Sequence, residues 1–216
     1  MKTRRLGAAA LLSSAFLPAT ALAAVTFTTL PGPETGGPCF GNGNLASVGV
    51  EIPAGDDYTL NEVTVRLHDT SNGGTPFTLE VFDDAAGLPG SAIATIGSGT
   101  GTGTYELYTL TPAAPVTLQA GETYWITASS SSTSNCAFGW SFDGTDPAGS
   151  TFTYAGEQQF LSGSWNDRTG SYQQLEIDAD PAAPAAATSI PTLSQWGLLL
   201  LGVGVMAMAG FVRRPE

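Results

Sequence analysis

The sequence predicts an all-β protein: an antiparallel two-sheet β-sandwich of jelly-roll-like type, set between an N-terminal signal peptide and a C-terminal single transmembrane helix. Three observations predict it. Short segments of the middle region alternate apolar and polar residues with period two. Turn-forming compositions interrupt them every ~8–15 residues, as in sandwiches and barrels. No stretch of that region sustains a helical period.

The N-terminus reads as a targeting segment. "MKTRR" is a positively charged start, "LGAAALLSSAFL" is apolar, and Pro18 ends the run. Ala21 and Ala23 put small residues at the −3 and −1 positions that signal peptidase reads, so the cut is expected between Ala23 and Ala24. Residues 1–23 are therefore left out of the fold. Export places the chain in an oxidising compartment, where its two cysteines, Cys39 and Cys136, are expected to pair. Closing so long a loop is worth about 4–5 kcal/mol in the chain-entropy picture. Two thiols and the single histidine, His68, do not complete a zinc shell, so no metal and no cofactor is expected.

The sandwich is expected to span 24–178. In "NEVTVRLHD" Val63, Val65 and Leu67 share one face, and Thr64, Arg66 and His68 the other. "TPFTLEVFDD" and "LASVGVEI" repeat the pattern, as do "GTYELYTLT", "ETYWITAS", "STFTYAG" and "YQQLEID". "SNGG", "DDAAGLPG", "GSGTGTG" and "SSSSTSN" read as the turns and loops between strands. A domain of this size buries roughly two-thirds of its unfolded surface and needs no metal to fold.

Charge narrows the function classes. Of the seven Lys and Arg, only Arg66 and Arg168 lie between residues 24 and 189, whereas all 19 acidic residues but Glu216 do. Such a surface repels phosphate, and nucleic acid is excluded as a partner.

Composition changes again at "ADPAAPAAATS", residues 179–189, a Pro/Ala-rich tether whose prolines oppose a helix. From Trp196 to Val212 come 17 uncharged residues. As a helix they would span ~25 Å, at the short limit for crossing a bilayer. Arg213 and Arg214 follow and are expected to stay cytoplasmic, leaving the β domain outside, with Trp196 at the opposite interface.

The order of "IPTLSQWG", apolar helix and basic pair resembles the IPTL-CTERM sorting signals of Gram-negative bacteria, relatives of the PEP-CTERM tails. The matching positions are Ile190, Pro191, Thr192, Leu193, Trp196, Gly197, Arg213 and Arg214. The resemblance implies recognition of the tail by a membrane transpeptidase of the exosortase class, cleavage near the motif, and release or re-anchoring at the cell surface. A second resemblance covers "LNEVTVRLHD", "FTLEVFDDAAGLPGSAIAT" and "PVTLQAGETYWITAS", which look like the choice-of-anchor exported domains. It implies a surface sandwich and carries no activity.

Candidate chemistry in the domain is sparse. His68 sits on the polar side of a strand with no second base, so no nucleophilic triad and no enzyme is expected. Asp56–Asp57, Asp83–Asp84 and Asp143/Asp146 are loop carboxylates of the kind Ca²⁺ takes, but none has the EF-hand spacing, and turn-forming Asp is the plainer reading. The expected role is structural or interactive. The alternative is a carbohydrate-binding module using Trp140 in "FGWSFDG" and Trp165 in "SGSWNDRTGSY", with extracellular polysaccharide as partner.

Overall fold

The structure, a computed structural model, describes residues 25–30, 32–34, 36–142, 147, 149–168 and 172–183 of the 216. The expected signal peptide with Ala21, Ala23 and Ala24, the motif Ile190–Leu193, the expected helix at 196–212 with Trp196 and Gly197, Arg213, Arg214, Asp143 and Asp146 lie outside these residues. The chain divides into two units, Met1–Asp180 and Pro181–Glu216. The first is the sandwich.

Every regular element among the described residues is a strand, and no helix there is long and apolar enough to cross a membrane. The strands are β1 Val25–Thr28, β2 Cys39–Phe40, β3 Leu45–Glu51, β4 Tyr58–Asp69, β5 Gly73–Asp84, β6 Pro89–Thr102 and β7 Tyr105–Leu110. After them come β8 Val116–Leu118, β9 Thr123–Ser129, β10 Phe138–Trp140, β11 Thr153–Leu161, β12 Ser164–Asp167 and β13 Leu175–Pro181. One sheet runs β1-β13-β4-β10-β2, with β7 and β8 also on β4; the other runs β12-β11-β3-β9-β5-β6. The strand pairs whose register is defined are antiparallel.

The alternation read from the sequence supplies the core. Val63, Val65 and Leu67 of β4 and Leu175 and Ile177 of β13 are buried in one cluster with Val48, Val50, Leu79, Val81 and Ile126 of the second sheet. Phe77 of β5 joins the sheets by packing edge-on against Phe138 of β10, ring centres 5.4 Å apart, and against Tyr108 of β7 at 5.0 Å.

Two departures from the sequence reading have physical causes. Of "GSGTGTG", residues 97–102 are strand, not loop: they lie in β6, paired with β5, and only Gly103 falls in the turn. A Cβ on Gly99 would stand 2.5 Å from the Phe77 ring, and one on Gly101 2.4 Å from the Phe138 ring. The glycines leave room for the two aromatic rings that join the sheets, which is why the run lacks apolar side chains of its own. At the C-terminal side, β13 continues to Pro181, beyond the compositional boundary at 178, because Ala179 continues the buried alternation of Leu175 and Ile177.

The registers define two ends of the sandwich. Val25 faces Asp178 across β1 and β13, so the described chain enters and leaves at the same end. The connections at 52–57, 85–88 and 119–122 also lie at this entry end, and that at 111–115 lies beside residues 61–62 of β4 on the way to it. Those at 41–44, 70–72, 103–104, 130–137 and 162–163 lie at the far end.

Candidate functional site

Cys39 and Cys136 form a disulfide whose Cα atoms are 4.7 Å apart, closing a sequence separation of 97. It joins β2 to the 130–137 connection at the far end. The neighbouring turns are tied to the same point. Asn42 Nδ2 donates to Asn135 Oδ1 at 2.7 Å, Asn44 Nδ2 to Asn135 O at 3.1 Å, and Ser130 Oγ to Pro76 O at 2.7 Å. Asp69, buried at the end of β4, accepts from the Ser71 and Thr75 amides at 2.8 and 2.9 Å. Burial works to raise its pKa, but the bonds from Ser71 and Thr75 outweigh it and hold the carboxyl below its usual range.

The two tryptophans proposed for sugar binding are not brought together. Trp140, in β10, is 0% exposed, and its Nε1 donates to Gln174 O at 3.0 Å. It cannot stack on a ligand: Phe138 and Trp140 of β10 both belong to the buried core. Trp165 lies in the other sheet, on β12. It is half-buried against Phe160 of β11, ring centres 5.2 Å apart at 63°. A third indole, Trp125, is 1% exposed yet stands outside the core cluster. It lies over Gly49, where a Cβ would come within 2.9 Å of its ring, and donates to Asp84 Oδ1 at 2.9 Å.

Of the residues expected as loop carboxylates, Asp83 and Asp84 instead close β5 and Asp57 lies on the 52–57 connection, and all three accept from backbone amides. Asp83 accepts from Ser91 N, Asp84 from Gly87 N, and Asp57 from Ala120 N. Among the described residues no three His, Cys, Asp or Glu side chains are grouped to hold a metal ion. His68 packs its ring against Tyr105 at 4.9 Å. Burial, followed by the charge of Glu34, raises the Tyr105 pKa.

One feature escaped the sequence reading. Glutamines in "GEQQF" and "YQQLE" form a buried polar layer beside the N-terminal segment. Gln159 Nε2 donates to Cys39 O at 2.6 Å while its Oε1 accepts from Arg168. Gln174 Nε2 donates to Pro33 O at 2.7 Å, and Glu157 accepts from Gln173 N. An open cavity of about 420 Å³ lies alongside, bounded by residues 36–39, Phe142, Gln159 and Arg168. Buried amides in such strands break the alternation rule, so apolar periodicity does not reveal them.

Acidic residues are unevenly placed along the sandwich. Glu51, Asp56, Asp57, Glu62, Asp83, Asp84, Glu122, Asp178 and Asp180 cluster toward the entry end. The five far-end connections contain no Asp, Glu, Lys or Arg at all.

Residues 188–215 match the IPTL-CTERM motif. The chain ends in an IPTL-CTERM sorting signal. The IPTL-CTERM tail indicates sorting to the cell surface by an exosortase-type enzyme. No curated protein matches the chain. Among solved structures it is similar to the cysteine protease and lectin-like domains of Cwp84, a surface layer associated protein of Clostridium difficile. The identity is 13% and the TM-score 0.47, over 64% of this chain and 32% of that one, so the aligned part is about a third of the other protein's length. That likeness is too loose to bear on function.

Proposed function

We propose that the chain is the precursor of an exported cell-surface protein of structural or interaction type, without enzymatic activity. Residues 1–23 direct export and are cut from Ala24 by signal peptidase. Helix 196–212 holds the precursor in the inner membrane, with the β domain outside and Arg213 and Arg214 inside. An exosortase-type transpeptidase reads Ile190–Leu193, and the mature domain goes to the cell surface or beyond.

The match of residues 188–215 to the IPTL-CTERM motif carries this reading. The fold is compatible with it. Because Val25 faces Asp178, a domain held by both its ends can fold completely outside the membrane. A bridged Cys39–Cys136 pair suits an oxidising compartment. The test is fractionation of cells expressing Pro191→Ala with Thr192→Ala. Full-length precursor should accumulate in the inner membrane, while Glu122→Gln, on an exposed entry-end turn, is sorted normally. Normal surface delivery of the double variant would reject the reading.

A further inference from the structure

We propose that the far end of the sandwich is a binding surface for a neutral polysaccharide, with the Trp165 ring, packed edge-to-face against Phe160, as its stacking face. The choice of an extracellular glycan as occupant rests on the surface-sorting reading. The chemistry rests on the far end itself. Its five connections are built from Gly, Asn, Ser, Thr, Cys and Ala, without one charged residue, in a domain where acidic residues greatly outnumber Lys and Arg. A polyanion would meet the field of that acidic domain, whereas a neutral glycan carries no charge to be repelled by it.

The surface is held in shape before any ligand arrives. The disulfide and the Asn42–Asn135 and Asn44–Asn135 bonds fix the 41–44 and 130–137 connections to one another, and the two amides on Asp69 hold the 70–72 turn. Leu161 pairs with Ser164 across a two-residue turn, Ser162–Gly163, in which both residues have positive φ, the tight hairpin geometry that sets the register beyond it. That register puts Trp165 opposite Phe160 and Asp167 opposite Gln158 on the same face. Both rings are half-buried, so each keeps a contact surface while being held in place. Oε1 of the nine-tenths buried Gln158 has no hydrogen-bond partner among the described residues. A pyranose offers what these groups lack: an apolar C–H face for the rings and hydroxyls that both accept and donate.

The test uses the full-length chain in detergent micelles. It is titrated calorimetrically with neutral gluco-, manno- and galacto-oligosaccharides, and with oligogalacturonate as the acidic comparison. Saturable binding of at least one neutral series is expected, weakened at least about 10-fold in Trp165→Ala and retained in Trp165→Tyr, which keeps a stacking face. Glu62→Gln, near the entry end, should bind like the parent, and affinity should hardly change between about 0.05 and 0.5 M salt. If Trp165→Ala loses its fold by circular dichroism, Trp165→Leu is read instead, since it keeps apolar bulk but no ring. Absence of saturable neutral binding, binding indifferent to Trp165→Ala, or binding of oligogalacturonate alone overturns the proposal. So does self-association by sedimentation that Trp165→Ala abolishes, which would make the surface a contact between copies. Failure of the sorting reading shows instead at the C-terminus of the mature chain and leaves this titration unaffected.

Discussion

Val25 and Asp178 face each other across the antiparallel β1–β13 pair. This relationship fixes the logic of the molecule: the described chain begins and ends at one acidic end of the sandwich, and the uncharged turns, the disulfide and the Trp165–Phe160 pair gather toward the other. Four consequences can be measured on the domain and one on its tail.

The disulfide should be a major source of stability. Cys39→Ala with Cys136→Ala frees a separation of 97 residues in the unfolded chain and is expected to cost about 2–5 kcal/mol. Urea unfolding of the oxidised parent and the double variant measures it. A difference under about 0.5 kcal/mol would show that the bridge does not constrain the unfolded ensemble.

The glycines of β6 should resist substitution because of the rings they face. Gly99→Ala and Gly101→Ala each drive a methyl into Phe77 or Phe138 and are expected to destabilise by about 1–3 kcal/mol. Gly36→Ala meets nothing within 4 Å and should be near neutral. Equal effects at all three positions would mean that backbone flexibility, and not the aromatic contact, sets the requirement.

The two tryptophans should separate cleanly. Trp140→Ala empties the core and removes the donor to Gln174 O, a loss of about 3–5 kcal/mol. Trp165→Ala, at a half-buried hairpin position, should cost about 1 kcal/mol. Thermal unfolding of both variants is the measurement, and reversal of that order would overturn the assignment of Trp140 to the core.

These two residues also show how far the sequence could be read. Both stand among glycine, serine and acidic neighbours, and composition alone made them look equivalent. Only the strand pairing separates them, since β10 lies between β2 and β4 while β12 is an edge strand. Strands with alternating side chains, such as β3, β4, β5 and β9, were legible because one face must be buried. β2, β8 and β10, two or three residues long, are too short to show a period, and β6 hides its alternation behind glycine. The buried glutamines were invisible because polarity ordinarily marks the solvent face. The disulfide needed only a count of two and an exported chain.

Asp69 should give stability a specific acid dependence. Its folded pKa lies below the usual value, so its contribution is fully present above the ordinary carboxylate range and is lost as pH falls through the folded value. Asp69→Asn should therefore lower stability at neutral pH and flatten the decline below about pH 4. Unfolding midpoints across acidic pH test this. Parallel curves for parent and variant would show that the amides of Ser71 and Thr75 do not favour the ionised form.

The sorting account stands or falls on the end of the mature chain. The apolar stretch is short, and Gly202, Gly204 and Gly210 lower its helix propensity by up to about 1 kcal/mol each relative to alanine, which suits a segment read and then discarded. C-terminal mass spectrometry of surface-exposed protein from the native cells is the direct measurement. Chains ending near Ile190–Leu193, without the apolar segment, are the predicted result. Recovery of Arg213-Arg214-Pro215-Glu216 as the dominant terminus would contradict the account and leave an ordinary single-span anchor.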